Sequence, residues 1–560
     1  MSWARALESL SGGWRGPALA ALIAFLAGLP GLIAMPTLDR DEARFAQATA
    51  QMLESRDFVV IRFQDAPRFK KPVGIHWLQA ASVSLLSHPE ARQIWAYRAP
   101  SLLGVMLAAA ACAWGAAAFF GPQAGLMAGA MLGSGLLVST EAFIAKTDSA
   151  LVGATTLAMA ALGRLYLARN GGPPAGPWVV WIFWSAIASM LLIKGPVGPL
   201  VVGLALLMLT AWDRKAAWLT DLKPYWGLIL VLAVAGPWAG AVTVATDGGF
   251  WSQAISGDLA PKLAGGQESH GAPPGYHLLL TPILAFPMTL LLPAAGLAAW
   301  RGRREPGVRF ALAWLIPTWL MFELLPTKLP HYLMPAYGAL AWLAARALAE
   351  PLAAAVRWTG AGLAAVVGLA LAGGIYVLLG LYGDPTDAPA AILSAVLLAA
   401  AGLVGAALIA RNRPQAAIAA AMGLGLLGHG ALAAAFAPRL EPLWLSARTE
   451  AAMSRLRLLP QQGVTEAPVA VAGFAEPSLV FALGTTTELD GADEAAQAIL
   501  EGRPAIVEAR EEPAFHRALA ARGARAREVS EIAGLNYSKG DEMSLRVYVA
   551  ADKDLGEVWR

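Results

Sequence analysis

The stretch TLDRDEARFAQATAQMLESRDFVVIRFQDAPRFKKPVGIHWLQAASVSLL, residues 37–86, decides how the rest of the chain is read. Ala43, Phe45, Ala46, Ala50, Met52 and Leu53 fall mainly on one stripe of a helix running from Asp41 to Ser55. That pattern predicts an amphipathic helix lying in a membrane interface. Asp41 stands at its start, where an acid caps the helix or complements its dipole. A turn around 57–67 follows, and Pro72, a good first-turn residue, opens a second helix. Lys70 and Lys71 precede it. Lysines beside a helix N-terminus form a phosphate-binding arrangement; on a bare surface the same pair would touch anionic headgroups.

Outward from this stretch the chain turns strongly apolar. Hydrophobic residues make up 57% of its 560 residues and charged residues only 14%, against roughly 25% charge in a soluble domain. Too few charges exist to build a water-exposed surface, so the apolar surface must face lipid. Disordered, collagen-like and coiled-coil classes are excluded on the same ground. A net charge of +3 gives no argument for nucleic acid, and the single cysteine, Cys112, permits neither an intrachain disulfide nor a cysteine metal site.

A spanning helix needs about 20 mostly apolar residues. Such stretches recur near 17–36, 99–120, 123–140, 149–168, 178–193, 196–212, 226–245, 277–300, 309–325, 332–349, 358–382, 390–410 and 415–436, about thirteen spans. The first is too long for a cleaved signal and lacks a cleavage site after it. With the N-terminus inside, the inner loops hold Arg164, Arg169, Arg214, Lys215, Lys223, Arg301, Arg303, Arg304, Arg309, Arg346, Arg357, Arg411 and Arg413. The short outer connections hold only Lys146, Lys194 and Lys328, so the positive-inside bias is consistent along the chain.

Residues 1–436 therefore read as a membrane domain with two larger outer loops: 37–97, and a Gly/Pro-rich, mobile 246–276 that either covers the site or merely connects spans. Residues 437–560 read as a small α/β domain on the outer side. PVAVAGF, PAIVEA and LRVYVAA are its expected strands, and EAAQAILEG and PAFHRALAARG its expected helices. No internal repeat is visible.

The polar residues that do not suit a membrane chain gather on the outer side. They are Asp39, Asp41, Glu42, Arg44, Lys70, Lys71, Asp148, Lys194, Lys328, His331 and Tyr332. Ionisable groups near membrane depth are costly and usually functional; any single lysine there could simply snorkel, but a whole set on one side points to one site. Its chemistry would be transfer onto or from a phosphate-bearing lipid. The lysines would hold a phosphate leaving group, and an aspartate would orient or deprotonate the acceptor. One carboxylate, not a flanking pair, favours a direct displacement with inversion. No Walker loop, GxSxG elbow or HExxH helix is present.

Residues 40–80 resemble the first periplasmic loop of the ArnT-like, GT-C-type glycosyltransferases, related more distantly to protein O-mannosyltransferases. TDSAL at 147–151, KGPVG at 194–198 and KLPHYLMPAY at 328–337 match further motifs of that family in order, and GFAEPSLVFALG at 473–484 is similar to the C-terminal domain of many members. The resemblance implies a GT-C fold of thirteen transmembrane helices, two juxtamembrane helices and a small periplasmic α/β domain, held in the bacterial inner membrane with the active site outside. It implies transfer of a sugar from an undecaprenyl-type polyprenyl phosphate to lipid A or another lipopolysaccharide component. In that family Asp41 matches the catalytic-site aspartate and Arg44 its nearby arginine. Lys71 matches the FEKP lysine, Asp148 the acid of the fourth span, and Lys194 the KG lysine. Lys328, His331 and Tyr332 would line the carrier-phosphate side.

One position departs from the family pattern: FEKP is FKKP here, so Lys70 replaces a glutamate. The extra lysine suits an anionic sugar or a more anionic acceptor. Asp41, Glu42 and Asp148 offer ligands for a divalent cation, which the adjacent lysines make less necessary. Alternative readings are a protein O-glycosyltransferase, another envelope-polymer transferase and, in different classes, a lipid-linked sugar transporter or an envelope scaffold. A transporter would carry charges at mid-span and repeat symmetry, and a scaffold gives no reason for acids and bases to gather on one face.

Overall fold

The computed structural model describes residues 8–261, 265, 271–463 and 468–553. Parts of the expected mobile loop (262–264 and 266–270) and of the C-terminal domain (464–467 and 554–560) lie outside the described residues.

Every expected span falls on helix, but the spans are not uniform. Among the described residues eight single helices are long and apolar enough to cross a bilayer, from Arg15–Ala34 to Pro414–Arg439. A ninth exists if Tyr276–Leu284 and Met288–Arg301, bent by 115°, form one span. Pro282 lies inside the first of these and Pro287 at the break, and proline removes the N–H that a continuous helix needs. Trp178–Lys194 and Val197–Asp213 are shorter. The third stretch is split into Pro122–Gly133 and Leu136–Glu141, and the tenth is only Met334–Ala347. The expected stretches thus all fall on helix, but they differ in length and several are short or broken. Met334–Ala347 is buried along nearly its whole length, and a helix enclosed by other helices need not match the bilayer thickness.

Small residues set how the central helices cross. A Cβ at Gly104 would lie 2.5 Å from the Ser149 carbonyl oxygen, and one at Gly153 2.5 Å from that of Gly104. Helices Ile94–Phe120 and Thr147–Arg169 therefore touch backbone to backbone, as small residues permit in membrane bundles. This crossing fixes the N-terminal end of Thr147–Arg169, which carries Asp148. At the other end of the same helix Tyr166 donates to Asp213 at 2.7 Å, and Arg309 pairs with Asp213.

The first large loop folds into helix Asp41–Ser55, a short hairpin of β1 (Arg62–Phe63) and β2 (Ala66–Pro67), and helix Gly74–Leu86. The first helix buries more than the stripe that its sequence predicts. Glu42, Gln47 and Thr49 are as buried as its apolar residues. Thr49 Oγ1 donates to Gln79 Oε1 at 2.7 Å, and Gln47 Nε2 donates to Thr485 Oγ1 at 2.7 Å. Its polar face meets the second helix and the C-terminal domain, so buried polar groups are satisfied by protein. The second helix begins at Gly74. A Cβ there would sit 2.7 Å from the Leu192 backbone, so this helix rests directly on the last turn of Trp178–Lys194.

The C-terminal domain follows helix Leu445–Arg455. It holds a five-stranded mixed sheet of β3 (Ala470–Ala472), β4 (Glu488–Asp490), β5 (Ala505–Glu508), β6 (Ala526–Asn536) and β7 (Asp541–Ala550), ordered β4-β3-β5-β7-β6. β3 runs parallel to β4 and β5, while β7 is antiparallel to β5 and β6. The expected helices are Ala492–Leu500 and Glu512–Ala521. β4 and β6 escape sequence reading because they are the sheet's edges, where few apolar residues are needed; β6 is also bulged between Glu528 and Ser530.

Candidate active site

Asp41 is the first residue of its helix, not the N-cap. Arg40 holds that place, in the left-handed region at φ 63°. The Asp41 side chain is exposed to a polar cavity of about 170 Å³ that Arg44, Lys70, Lys71, Asp148, Lys194, His331 and Tyr332 also line. Eight of the residues singled out from the sequence thus meet around one space, although they come from five separate segments. Gly74 seats the Lys70–Lys71 turn beside Lys194, and the Gly104–Gly153 crossing places Asp148.

The floor of the cavity is an ionic cluster. Lys194 Nζ donates to Asp148 Oδ1 at 2.5 Å. Lys146 Nζ lies 3.0 Å from Glu141 Oε1, 3.9 Å from Asp148 Oδ2 and 3.4 Å from His331 Nδ1. His331 Nε2 is 3.7 Å from Asp148 Oδ1, and Lys194 stands 5.5 Å from the centre of the Tyr332 ring. These groups are largely withdrawn from water, where a charge persists only if paired. At the rim Lys71 Nζ donates to Asp258 Oδ2 at 2.6 Å. Lys194 and Lys71 keep their ammoniums at the cavity wall, each beside a carboxylate that an incoming phosphate would rival, whereas Lys146 and Glu141 are buried beneath Asp148 and line neither cavity.

A second, apolar cavity of about 430 Å³ shares Lys70, Lys71, Asp148, Lys194, His331 and Tyr332 with the first. Leu151, Val152, Val197, Phe250, Trp251 and Phe322 continue its wall. The arrangement offers a greasy compartment and a charged one joined at a cluster of cations, which suits an amphiphile with an anionic head.

Two expected site residues stand elsewhere. Lys328 lines neither cavity: it is buried, and its ammonium donates to the carbonyls of Ala272 at 2.8 Å and Leu325 at 2.6 Å. Glu42, considered as a metal ligand, is fully engaged in holding the fold. Its Oε1 accepts from Arg98 Nε at 2.9 Å and Ala145 N–H at 2.7 Å, and its Oε2 from Arg98 Nη2 at 2.7 Å and Leu38 N–H at 2.8 Å. Among the described residues no three His, Cys, Asp or Glu side chains come together as a metal site. The space around Asp148 is filled by the ammoniums of Lys194 and Lys146, which would repel a divalent cation.

Sequence reading missed Glu141, Lys146 and Asp258 as parts of the site. The signal for the first two was present in EAFIAKTDSA, residues 141–150: an acid and a base within seven residues of Asp148, at a span end. Asp258 has no such signal, because a loop acid reads as solvated until the fold brings it to Lys71.

No family model matches the chain. Among curated proteins it is 28% identical over 313 residues to undecaprenyl phosphate-alpha-4-amino-4-deoxy-L-arabinose arabinosyl transferase 2 of Pseudomonas fluorescens, 56% of each chain. It is 27% identical over 309 residues to the arabinosyl transferase of Erwinia tasmaniensis, 54% of each. The chain thus spans about half the length of the curated relatives it matches. Among solved structures, ArnT from Cupriavidus metallidurans in the apo state superposes with a TM-score of 0.73 at 20% identity, over 98% of both chains. The same protein bound to undecaprenyl phosphate gives 0.71 at 21% identity, over 95% of this chain and 96% of that one. The chain has the fold of ArnT, a polytopic helical GT-C fold with a small C-terminal sheet domain, and its sequence relatives are arabinosyl transferases.

Proposed function

We propose that this chain is an inverting glycosyltransferase of the bacterial inner membrane. It moves a sugar from an undecaprenyl-type polyprenyl phosphate to an acceptor on the periplasmic side, lipid A or another lipopolysaccharide component. The observation that carries this reading is the junction of the two cavities: Lys70, Lys71 and Lys194 stand where an apolar compartment meets a polar one, with Asp41 on the polar side. The names of the arabinosyl transferases to which the chain is similar supply the donor class.

The apolar cavity takes the first prenyl units of the carrier, and the lysines take its phosphate. Charge builds on that phosphate as the sugar–oxygen bond breaks, and cations already in place stabilise it without reorganisation. The acceptor oxygen attacks the anomeric carbon from the opposite face; the bond to the phosphate oxygen breaks, and polyprenyl phosphate leaves with the electron pair. Asp41, on the polar side, orients the acceptor and, where the acceptor is a hydroxyl, takes its proton. A phosphate acceptor is already ionised, and Asp41 then stabilises positive charge developing on the sugar ring. The lysine-filled cluster does not fit a resident divalent cation, so leaving-group stabilisation falls to side chains. The excess of lysine and arginine in the loops at the opposite ends of the spans supports a periplasmic site.

Mass spectrometry of lipid A from cells with and without the chain, with an Asp41→Asn control, tests the proposal. A sugar mass present only with the wild-type chain supports it. Unchanged lipid A removes that acceptor and directs the search to core polysaccharide, envelope polymers and proteins.

A further inference from the structure

Asp41 is held from two sides, and one of them is the C-terminal domain. On the membrane side Glu42 is locked by Arg98 and by the backbone N–H groups of Ala145 and Leu38. On the other side Asp39 is gripped by residues more than four hundred positions away. Its backbone N–H donates to the Tyr537 hydroxyl at 2.6 Å, and Ser478 Oγ donates to its carboxylate. The grip is itself rigid. The Ser446 hydroxyl lies 2.6 Å from that of Ser478, the Tyr537 ring packs edge-on against Trp444, and Asn536 Nδ2 donates to buried Glu476 Oε1 at 2.9 Å. Between the two anchors stands Arg40, at φ 63° and ψ −94°. A non-glycine residue keeps such a conformation only where its surroundings impose it. This is the residue that turns the chain so that Asp41 enters the helix facing the cavity.

We propose that Tyr537 and Ser478 are positioning residues, by which the C-terminal domain, acting through Asp39, sets the direction of the Asp41 carboxylate. The domain is then a working part of the transfer site and not only a cover for it. This inference rests on the reading of Asp41 as the acting carboxylate. Docking of the domain has an independent anchor: Arg92 donates to Gln47 Oε1 at 2.7 Å and to the Phe481 carbonyl at 2.9 Å, and pairs with Glu54. Removing the grip on Asp39 therefore leaves the domain in place but releases Arg40 and, with it, the aim of Asp41.

The test uses the full chain carrying Tyr537→Phe, which keeps the ring on Trp444, and Ser478→Ala, singly and together, with Asp41→Asn in parallel. Three quantities are read: Asp41-dependent sugar transfer in cells, affinity of the purified chain for undecaprenyl phosphate, and thermal melting. The expected result is a fall in transfer of about tenfold or more in the double variant, with affinity within about twofold of wild type and an unchanged melting temperature. Transfer near wild type in the double variant, with Asp41→Asn inactive, overturns the inference and leaves the reading of Asp41 standing. Loss of affinity and melting temperature together makes Tyr537 and Ser478 merely structural and also overturns it. Normal transfer by Asp41→Asn removes the reading of Asp41, and the inference falls with it.

Discussion

Asp148 and Glu42 are both buried acids, and their partners decide what each does. Glu42 is saturated by four donors and serves as a structural tie between the first loop and the helix that carries Arg98. Arg98→Met would leave its carboxylate buried without its guanidinium. Breaking such a pair costs about 3–5 kcal/mol, and a large drop in melting temperature in detergent is the expected outcome. Asp148 instead lines the cavity beside Lys194, with Lys146 buried behind it, a balance open to change by a phosphate. Lys70 probes the charge of the same space. Lys70→Glu is expected to weaken binding of undecaprenyl phosphate about tenfold, the equivalent of ~1.4 kcal/mol, and to shift donor or acceptor preference. Unchanged binding and preference would remove Lys70 from the recognition of anions.

At the scale of elements, contact between helices builds the site. The second juxtamembrane helix lies on the end of Trp178–Lys194 because Gly74 carries no side chain. Gly74→Ala would drive a methyl into the Leu192 carbonyl, lifting the helix and carrying Lys70 and Lys71 away from Lys194. Affinity for undecaprenyl phosphate should fall severalfold or more. Gly203→Ala and Gly236→Ala are the controls, because a Cβ at either meets nothing within 4 Å; both should bind normally in the same titration. The helix Asp41–Ser55 illustrates the limit of pattern reading. Its stripe of Ala, Phe and Met is real, but the opposite face is buried too, because helix Pro477–Leu483 of the distant domain packs on it. Periodicity reports one apolar face and says nothing of a polar face that finds protein partners.

Over the whole molecule, the junction between the membrane domain and the C-terminal domain carries a titratable group. Burial, opposed by the Ser478 hydrogen bond, pushes the Asp39 carboxyl up from 3.8 to about 6. Glu476 raises it further, and Arg40 partly offsets this. A folded-state value above the unfolded one means that the native state binds the extra proton. The contribution of Asp39 to stability is then fully present below about pH 3.8 and is lost as pH rises through about 6. Between pH 5 and pH 7.5 this group should therefore cost the chain stability, by an amount on the order of 1–2 kcal/mol. Asp39→Asn should flatten that part of the stability–pH profile, as measured by denaturation in detergent at the two pH values.

Much of this was legible without coordinates. Hydropathy alone placed helices at every span, because a chain with so few charges must bury its backbone in lipid-facing helices. Lysine and arginine bias assigned a common side to the first loop, the ends of the spans and the last domain. Charges that stand out in so apolar a chain marked Asp41, Lys71, Asp148, Lys194 and His331, and these line one cavity. Three things were decided only by tertiary structure. Lys328 turned toward carbonyls and Glu42 toward Arg98, because a side chain's partners depend on packing and not on spacing. Glu141, Lys146 and Asp258 joined the site because helix crossings and a folded loop delivered them. Tyr537 and Ser478 reached Asp39 because two domains distant in sequence share one face, and sequence distance carries no information about that contact.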